Sequence, residues 1–164
     1  MQKSSTTFGV LLGTLLLGSA TIATAGAAKG TVSYKSDKAT IQHAYLVKGP
    51  DAVDEKKIIR RIILVPKDMQ ATIAACKVMS CADGEVGEGL TIDLDGGPRV
   101  NYWVVLKDQM VQFSGTADPA TLKTKTDEPG KIAGTFVVDD SASGGPKIDV
   151  EFDAALVKEF QTAR

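Results

Sequence analysis

A chain of 164 residues, 43% hydrophobic and 24% charged, has the make-up of one folded domain and not of a disordered or fibrous protein. Its 19 Lys and Arg against 20 Asp and Glu leave a formal charge of −1, which offers no electrostatic footprint for nucleic acid or anionic lipid.

The first 25 residues have a character of their own. Lys3 supplies a positive start, Phe8 to Gly18 a short apolar run, and Ala23-Thr24-Ala25 a small-residue cleavage site, so the pattern predicts an export signal cut before Gly26. A membrane span needs about 20 apolar residues and this run has barely half that, so no anchor is expected here. No other stretch reaches that length. The expected product is a single domain, residues 26–164, soluble in the periplasm or outside the cell.

Lys29 to Val47 reads as a first hairpin. Val32 and Tyr34 lie in one strand, Ser36-Asp37-Lys38 makes the turn, and Ile41, His43, Tyr45 and Val47 share a face of the second strand. The charged segment Lys48 to Lys57 contains Gly49-Pro50 and is expected as an exposed loop. Ile58 to Pro66 is apolar on both faces except for Arg60 and Arg61, as a central strand covered on both sides should be. One arginine must then face inward, and a guanidinium at the rim paired with a carboxylate is the expected arrangement.

From Asp68 to Ser80 the period changes. Asp68 is a candidate N-cap, and Met69, Ile73, Cys76 and Met79 form an apolar stripe on one short helix. In the next strand Leu90, Ile92 and Leu94 point inward, with Thr91, Asp93 and Asp95 outward. Gly96 to Gly115 predicts another hairpin, looped at Lys107-Asp108 or Asp108-Gln109. Tyr102, Val104, Leu106, Val111 and Phe113 are placed on its core face. Its other face carries Trp103, Val105 and Met110, more apolar than a solvated face, and the predicted helix is the candidate cover. The lysine-rich ATLKTKTDEPG suits an edge strand. KIAGTFVVDD and PKIDVEF follow as two more strands, and Leu156 and Phe160, four apart, predict a last helical turn or two. The fold class is therefore mainly β: a single antiparallel sandwich or small barrel of eight to nine strands with one short helix inserted.

Few residues suggest chemistry. Cys76 and Cys81, spaced C-x4-C in an exported chain, favour a disulfide. Five residues of unbroken helix rise about 7.5 Å, so that bond requires the helix to unwind between them. The alternative is a redox or copper-type site using Cys76, Met79 and Cys81, for which one histidine completes only part of a ligand shell. His43, the sole histidine, sits on an apolar face, where a packed neutral imidazole is the ordinary role. A hydrolase would have to use it as base, yet no G-x-S-x-G elbow is present. Neither a metal site of the usual zinc kind, nor a calcium loop, nor a phosphate loop is completed, so no cofactor is expected.

The export signal, TIQHAYLVKGPD, the Arg-Arg strand, ACKVMSC, GGPRVNYWVV and GGPKIDVEFDAALVKEF together resemble a loose group of uncharacterised exported bacterial proteins. The resemblance implies an exported location and a β-sandwich or barrel, and it transfers no functional residue. The expectation on function is a non-catalytic binding module. The patch of Trp103, Val105 and Met110, or a barrel mouth, would engage a small apolar ligand or an envelope protein.

Overall fold

The computed structural model describes residues 26–107 and 110–164; the segment expected to be an export signal and the expected loop residues 108–109 lie outside the described residues. The protein is mainly β. Among the described residues nine strands form one sheet: β1 (Gly26–Tyr34), β2 (Asp37–Pro50), β3 (Ile58–Val65), β4 (Gly89–Leu94), β5 (Val100–Val105), β6 (Val111–Ala117), β7 (Leu122–Glu128), β8 (Lys131–Asp139) and β9 (Lys147–Glu159). Their order across the sheet is β6-β5-β4-β3-β2-β1-β9-β8-β7, and neighbours in it run antiparallel.

The sheet rolls around one of its faces. Tyr102 on β5 and Phe136 on β8 are far apart in strand order, yet their rings meet edge-on at 5.6 Å. Inside the roll lies the larger core, with Val32, Ile41, Leu46, Ile62, Leu64, Leu90, Ile92, Tyr102, Phe136 and Phe152 among its members. Each such side chain contributes about 1.5–3 kcal/mol by leaving water. Closure stops short: β6 and β7 are the two ends of the strand order, so the sheet is neither a closed barrel nor two separate sheets.

β1 is a wedge. It pairs with β2 on one side and β9 on the other, and where it begins, β2 and β9 pair directly and in parallel, Tyr45 opposite Ala155 and Lys48 opposite Glu159. Gly26 sits at the apex, where an added Cβ would lie 2.1 Å from the Asp153 carbonyl oxygen and 2.6 Å from that of Ala44. Only glycine fits so close an approach.

Three expectations are corrected, two of them by register irregularities. Around Gln42 the β1–β2 pairing slips between Ala27 and Gly30, and the alternation of β2 switches with it. Ala39 and Ile41 join Ala44 and Leu46 in the inner core, whereas Tyr45 and Val47 face the other way. Ile41 therefore does not share a face with Tyr45 and Val47, because a bulge shifts a strand by half its two-residue period. A second slip, between Val104 and Val105, sets Val111 opposite Val105 and leaves it 56% exposed, while Tyr102, Val104 and Leu106 are buried in the inner core and Phe113 packs against it. At the C-terminus the expected helical turns are instead the end of β9. Parallel pairing with β2 supplies the backbone partners, and the Phe160 N–H donates to the Lys48 carbonyl at 2.7 Å.

The insertion between β3 and β4 is also revised. Two short helices, α1 (Gln70–Ala75) and α2 (Met79–Gly84), replace the single predicted one. Cys76 is extended (φ −58°, ψ 139°), as is Val78 (φ −126°, ψ 156°), and this break brings the two cysteine Cα atoms to 5.5 Å in a disulfide. Asp68 stands just before α1, and its carboxylate accepts the Gln70 N–H at 2.9 Å and the Tyr45 hydroxyl at 2.7 Å. The apolar stripe survives the break. Ile73, Cys76, Met79 and Ala82 pack with Phe160 on Tyr45, Val47, Ile59, Ile63 and Val65 of β2 and β3, forming a second, outer core.

The C-terminal residues clamp this insertion. The carbonyls of Thr162 and Ala163 accept the N–H groups of Met79 and Ser80, at 3.1 and 2.9 Å, satisfying donors that the first turn of α2 leaves free. The Lys158 ammonium donates to the carbonyls of Ala74 and Cys76 at the end of α1, a place where a cation also suits the helix dipole.

Candidate functional site

On the outer face the helices roof β2 and β3 and stop at the border of β4 and β5. At that border Arg61 of β3 lies with its side chain 10% exposed, opposite Asp93 of β4, at 8%. The guanidinium grips Asp93 with two donors, Nε to Oδ1 and Nη2 to Oδ2 at 2.6 Å, while Nη1 reaches Asp83 of α2. Its carbon rests 5.6 Å from the centre of the Trp103 ring. A planar, permanently charged fork is the group that can satisfy two carboxylates and stack on an indole at once.

Electrostatics divides the cluster unequally. Burial opposes the charge on Arg61, but the hydrogen bonds and charge of Asp93, with Asp83 behind it, outweigh burial and hold the guanidinium above the ordinary arginine range. For Asp83 burial wins: it pushes the carboxyl up against the pull of Arg61, and the charge of Asp93 adds to the rise. Its Oδ1 is shut off from water with no hydrogen-bond partner. Asp93 is thus the true counter-ion, and Asp83 is a second acid held at a cost. The arrangement ties β3, β4 and α2 together. It serves as a lock, while the expected inward arginine, with its guanidinium at the rim paired to a carboxylate, is its neighbour in β3. Arg60, on the opposite face at the rim, pairs with Asp95 at 2.7 Å and with Asp127.

The patch predicted from Trp103, Val105 and Met110 is divided by this arrangement. Val105 is buried, Trp103 is half-buried beside the Arg61 guanidinium, and Met110 is 71% exposed at the end of the hairpin. The helical stripe covers β2 and β3 and not these three residues, because Tyr45, Val47, Ile63 and Val65 present the larger aliphatic surface and the Arg61 charges interrupt it toward β5. His43 is half-buried, its ring parallel to that of Tyr45 at a centroid distance of 6.4 Å. Cys76 and Cys81 are both spent in the disulfide, so thiolate ligation beside Met79 would first require reduction. Among the described residues no three His, Cys, Asp or Glu side chains converge as a metal site.

A feature that sequence reasoning missed is a cleft of about 310 Å³ where β3 leaves the outer core. Val65 and Met69 give it an apolar floor; Lys67, Glu85, Glu88 and Lys107 bring charges of both signs to its walls. It is made by the exit of β3, the start of α1, the segment between α2 and β4, and the end of β5. No local pattern announces it, since four separate pieces of chain meet there. Its volume falls at the small end of ligand sites.

No family model and no curated protein matches this chain. Among solved structures the chain has a slight likeness to the crystal structure of Burkholderia cenocepacia BcnA, at 9% identity and a TM-score of 0.30, over 79% of this chain and 96% of that one. A likeness so slight carries no argument about fold or activity.

Proposed function

We propose that this is an exported, non-catalytic binding domain whose ligand or partner is taken at the outer cleft between Val65, Lys67, Met69 and Glu88. The observation that carries this reading is the filled interior. Large side chains such as Tyr102, Phe136 and Phe152 occupy the inside of the roll, so a ligand held in a barrel mouth loses its room and the outer face remains. The disulfide favours an oxidising compartment, in keeping with the export signal read from residues 1–25. Absence of a helix long and apolar enough to cross a membrane among the described residues fits a domain that does not span by helices.

The cleft's chemistry selects its occupant. An apolar floor flanked by lysines and glutamates suits a short segment with one apolar side chain between charged or zwitterionic groups, as in a peptide. The test is amide chemical-shift mapping of the labelled protein against short peptides that carry one leucine or phenylalanine between charged residues. Shifts clustered at Val65, Lys67, Met69 and Glu88, lost in a Met69→Glu variant, are expected. Silence with every peptide, or shifts unaffected by that variant, would refute the assignment.

A further inference from the structure

The outer cleft does not end at Glu85. That residue also borders a trough of about 570 Å³ walled by Thr72, Ala75, Cys76, Val78 and Cys81. Met69 in the cleft and Thr72 and Ala75 in the trough follow one another at intervals of three, which sets them along one side of α1. The facing wall is the segment that leaves α2, anchored by Val86 in the outer core. The Glu85 N–H donates to the Cys81 carbonyl at 3.1 Å, and the disulfide ties Cys81 to Cys76 at the end of α1, so one brace holds both walls.

Charge alternates along this path. Lys67 precedes α1 and Lys77 follows it, so two exposed ammonium groups stand toward opposite ends of the helix. Between them come Glu85, exposed, and Glu88, half-buried, and among the described residues neither carboxylate takes a hydrogen bond or an ion pair. Resting on the reading of the cleft as a binding site, we propose that cleft and trough are two halves of one groove. Its occupant is an extended peptide segment in which a basic residue stands between two apolar ones, with an acidic residue at either end. α1 is about 9 Å long, the reach of three extended residues. Alternation in an extended chain sends the first and third side chains to the floor, onto Met69 in the cleft and Val78 in the trough, and turns the second toward Glu85 at the rim. Lys67 and Lys77 then meet the outer acids, and complementary charge fixes the register as well as the choice of partner.

Charge inversion makes a direct test. The isotope-labelled protein, disulfide intact, is titrated with the acetylated and amidated peptides Glu-Leu-Lys-Leu-Glu and Lys-Leu-Glu-Leu-Lys, which offer the same two leucines with every charge reversed. Amide shifts should run from Val65 and Met69 through Glu85 to Ala75 and Val78, and the first peptide should bind at least about tenfold more tightly than the second. Glu85→Gln should shrink that ratio by about threefold, the share of one exposed ion pair, and leave the circular dichroism spectrum as it is, since the carboxylate has no partner to lose. Equal affinities, or shifts confined to Val65 and Met69, overturn the groove and leave the cleft as a site for one apolar side chain. No shift with either peptide overturns it as well, and silence with the single-leucine peptides besides would remove the cleft itself.

Discussion

Removing the Asp93 carboxylate should be among the most damaging single changes on the outer face. Arg61 is nine-tenths buried and takes both its bidentate contacts from Asp93, so Asp93→Ala strands a guanidinium that has lost its main counter-ion. Breaking one side of a buried pair costs about 3–5 kcal/mol, far more than the pair contributes over an apolar substitute of the same shape. For a domain of this size that corresponds to a fall in melting temperature of about 10–20 °C. Asp83→Asn should behave quite differently. Its carboxyl is already raised by burial, so a neutral amide loses Coulombic attraction to Arg61 but sheds a desolvation cost, and the net change should stay within about 1 kcal/mol. Urea unfolding at pH 7 followed by circular dichroism, with the disulfide intact, measures both. Replacing Arg61 and Asp93 together by Met and Leu should restore most of the loss. Equal effects of Asp93→Ala and Asp83→Asn, or a cost below about 1 kcal/mol for Asp93→Ala, would refute the division of roles drawn for the two acids.

Other expected outcomes follow from the clamp around the helices and from the titrating acids. Because the folded protein raises the Asp83 carboxyl, its contribution favours folding below the unfolded value of 3.8 and is lost as pH rises through the folded value. The stability of wild type relative to Asp83→Asn should therefore decline from pH 3 toward pH 7, as urea midpoints across that range would show. Asp139 has the opposite sign: Lys147 and Ser141 hold it down to about 2, so its contribution is present above 3.8 and fades as pH falls toward 2. An Asp139→Asn variant should lose that part of the acid dependence. Reduction of Cys76–Cys81 opens a small ring worth about 2 kcal/mol, so it should loosen α2 in hydrogen exchange while the strands stay protected; global unfolding on reduction would contradict this. Phe160→Ala removes a buried ring from the outer core and should cost about 3–5 kcal/mol, read in the same urea experiment; a surface-like loss below 1 kcal/mol would contradict its placement.

Regular alternation was the legible part of the fold. Leu90, Ile92 and Leu94 face the inner core as the pattern of β4 demands, and the lysines of β7 mark an edge. Outward did not mean wet, however: Thr91 and Asp93 point outward and are buried, and the Arg61 guanidinium grips Asp93. What pattern reading cannot supply is the place where a period slips. The shifts near Gln42 and between Val104 and Val105 leave no mark in composition, yet they decide which core receives Ile41 and whether Val111 is covered. Phe160 misled for a related reason. A spacing of four suits a helix, but the partner that fixes its conformation is Lys48, more than a hundred residues earlier. The disulfide was readable from spacing and the expected export, whereas the second helix, which holds Cys81, was not.

The seat of β1 between β2 and β9 has a consequence for the order of assembly. Strand β2 can meet β1 as soon as both exist, but the other flank of β1 stays unmatched until residues 147–153 arrive. A polypeptide threaded head first through a narrow passage would thus hold its central seam unzipped for nearly the whole transit. Such a chain would set into its final shape only once its last strand is free.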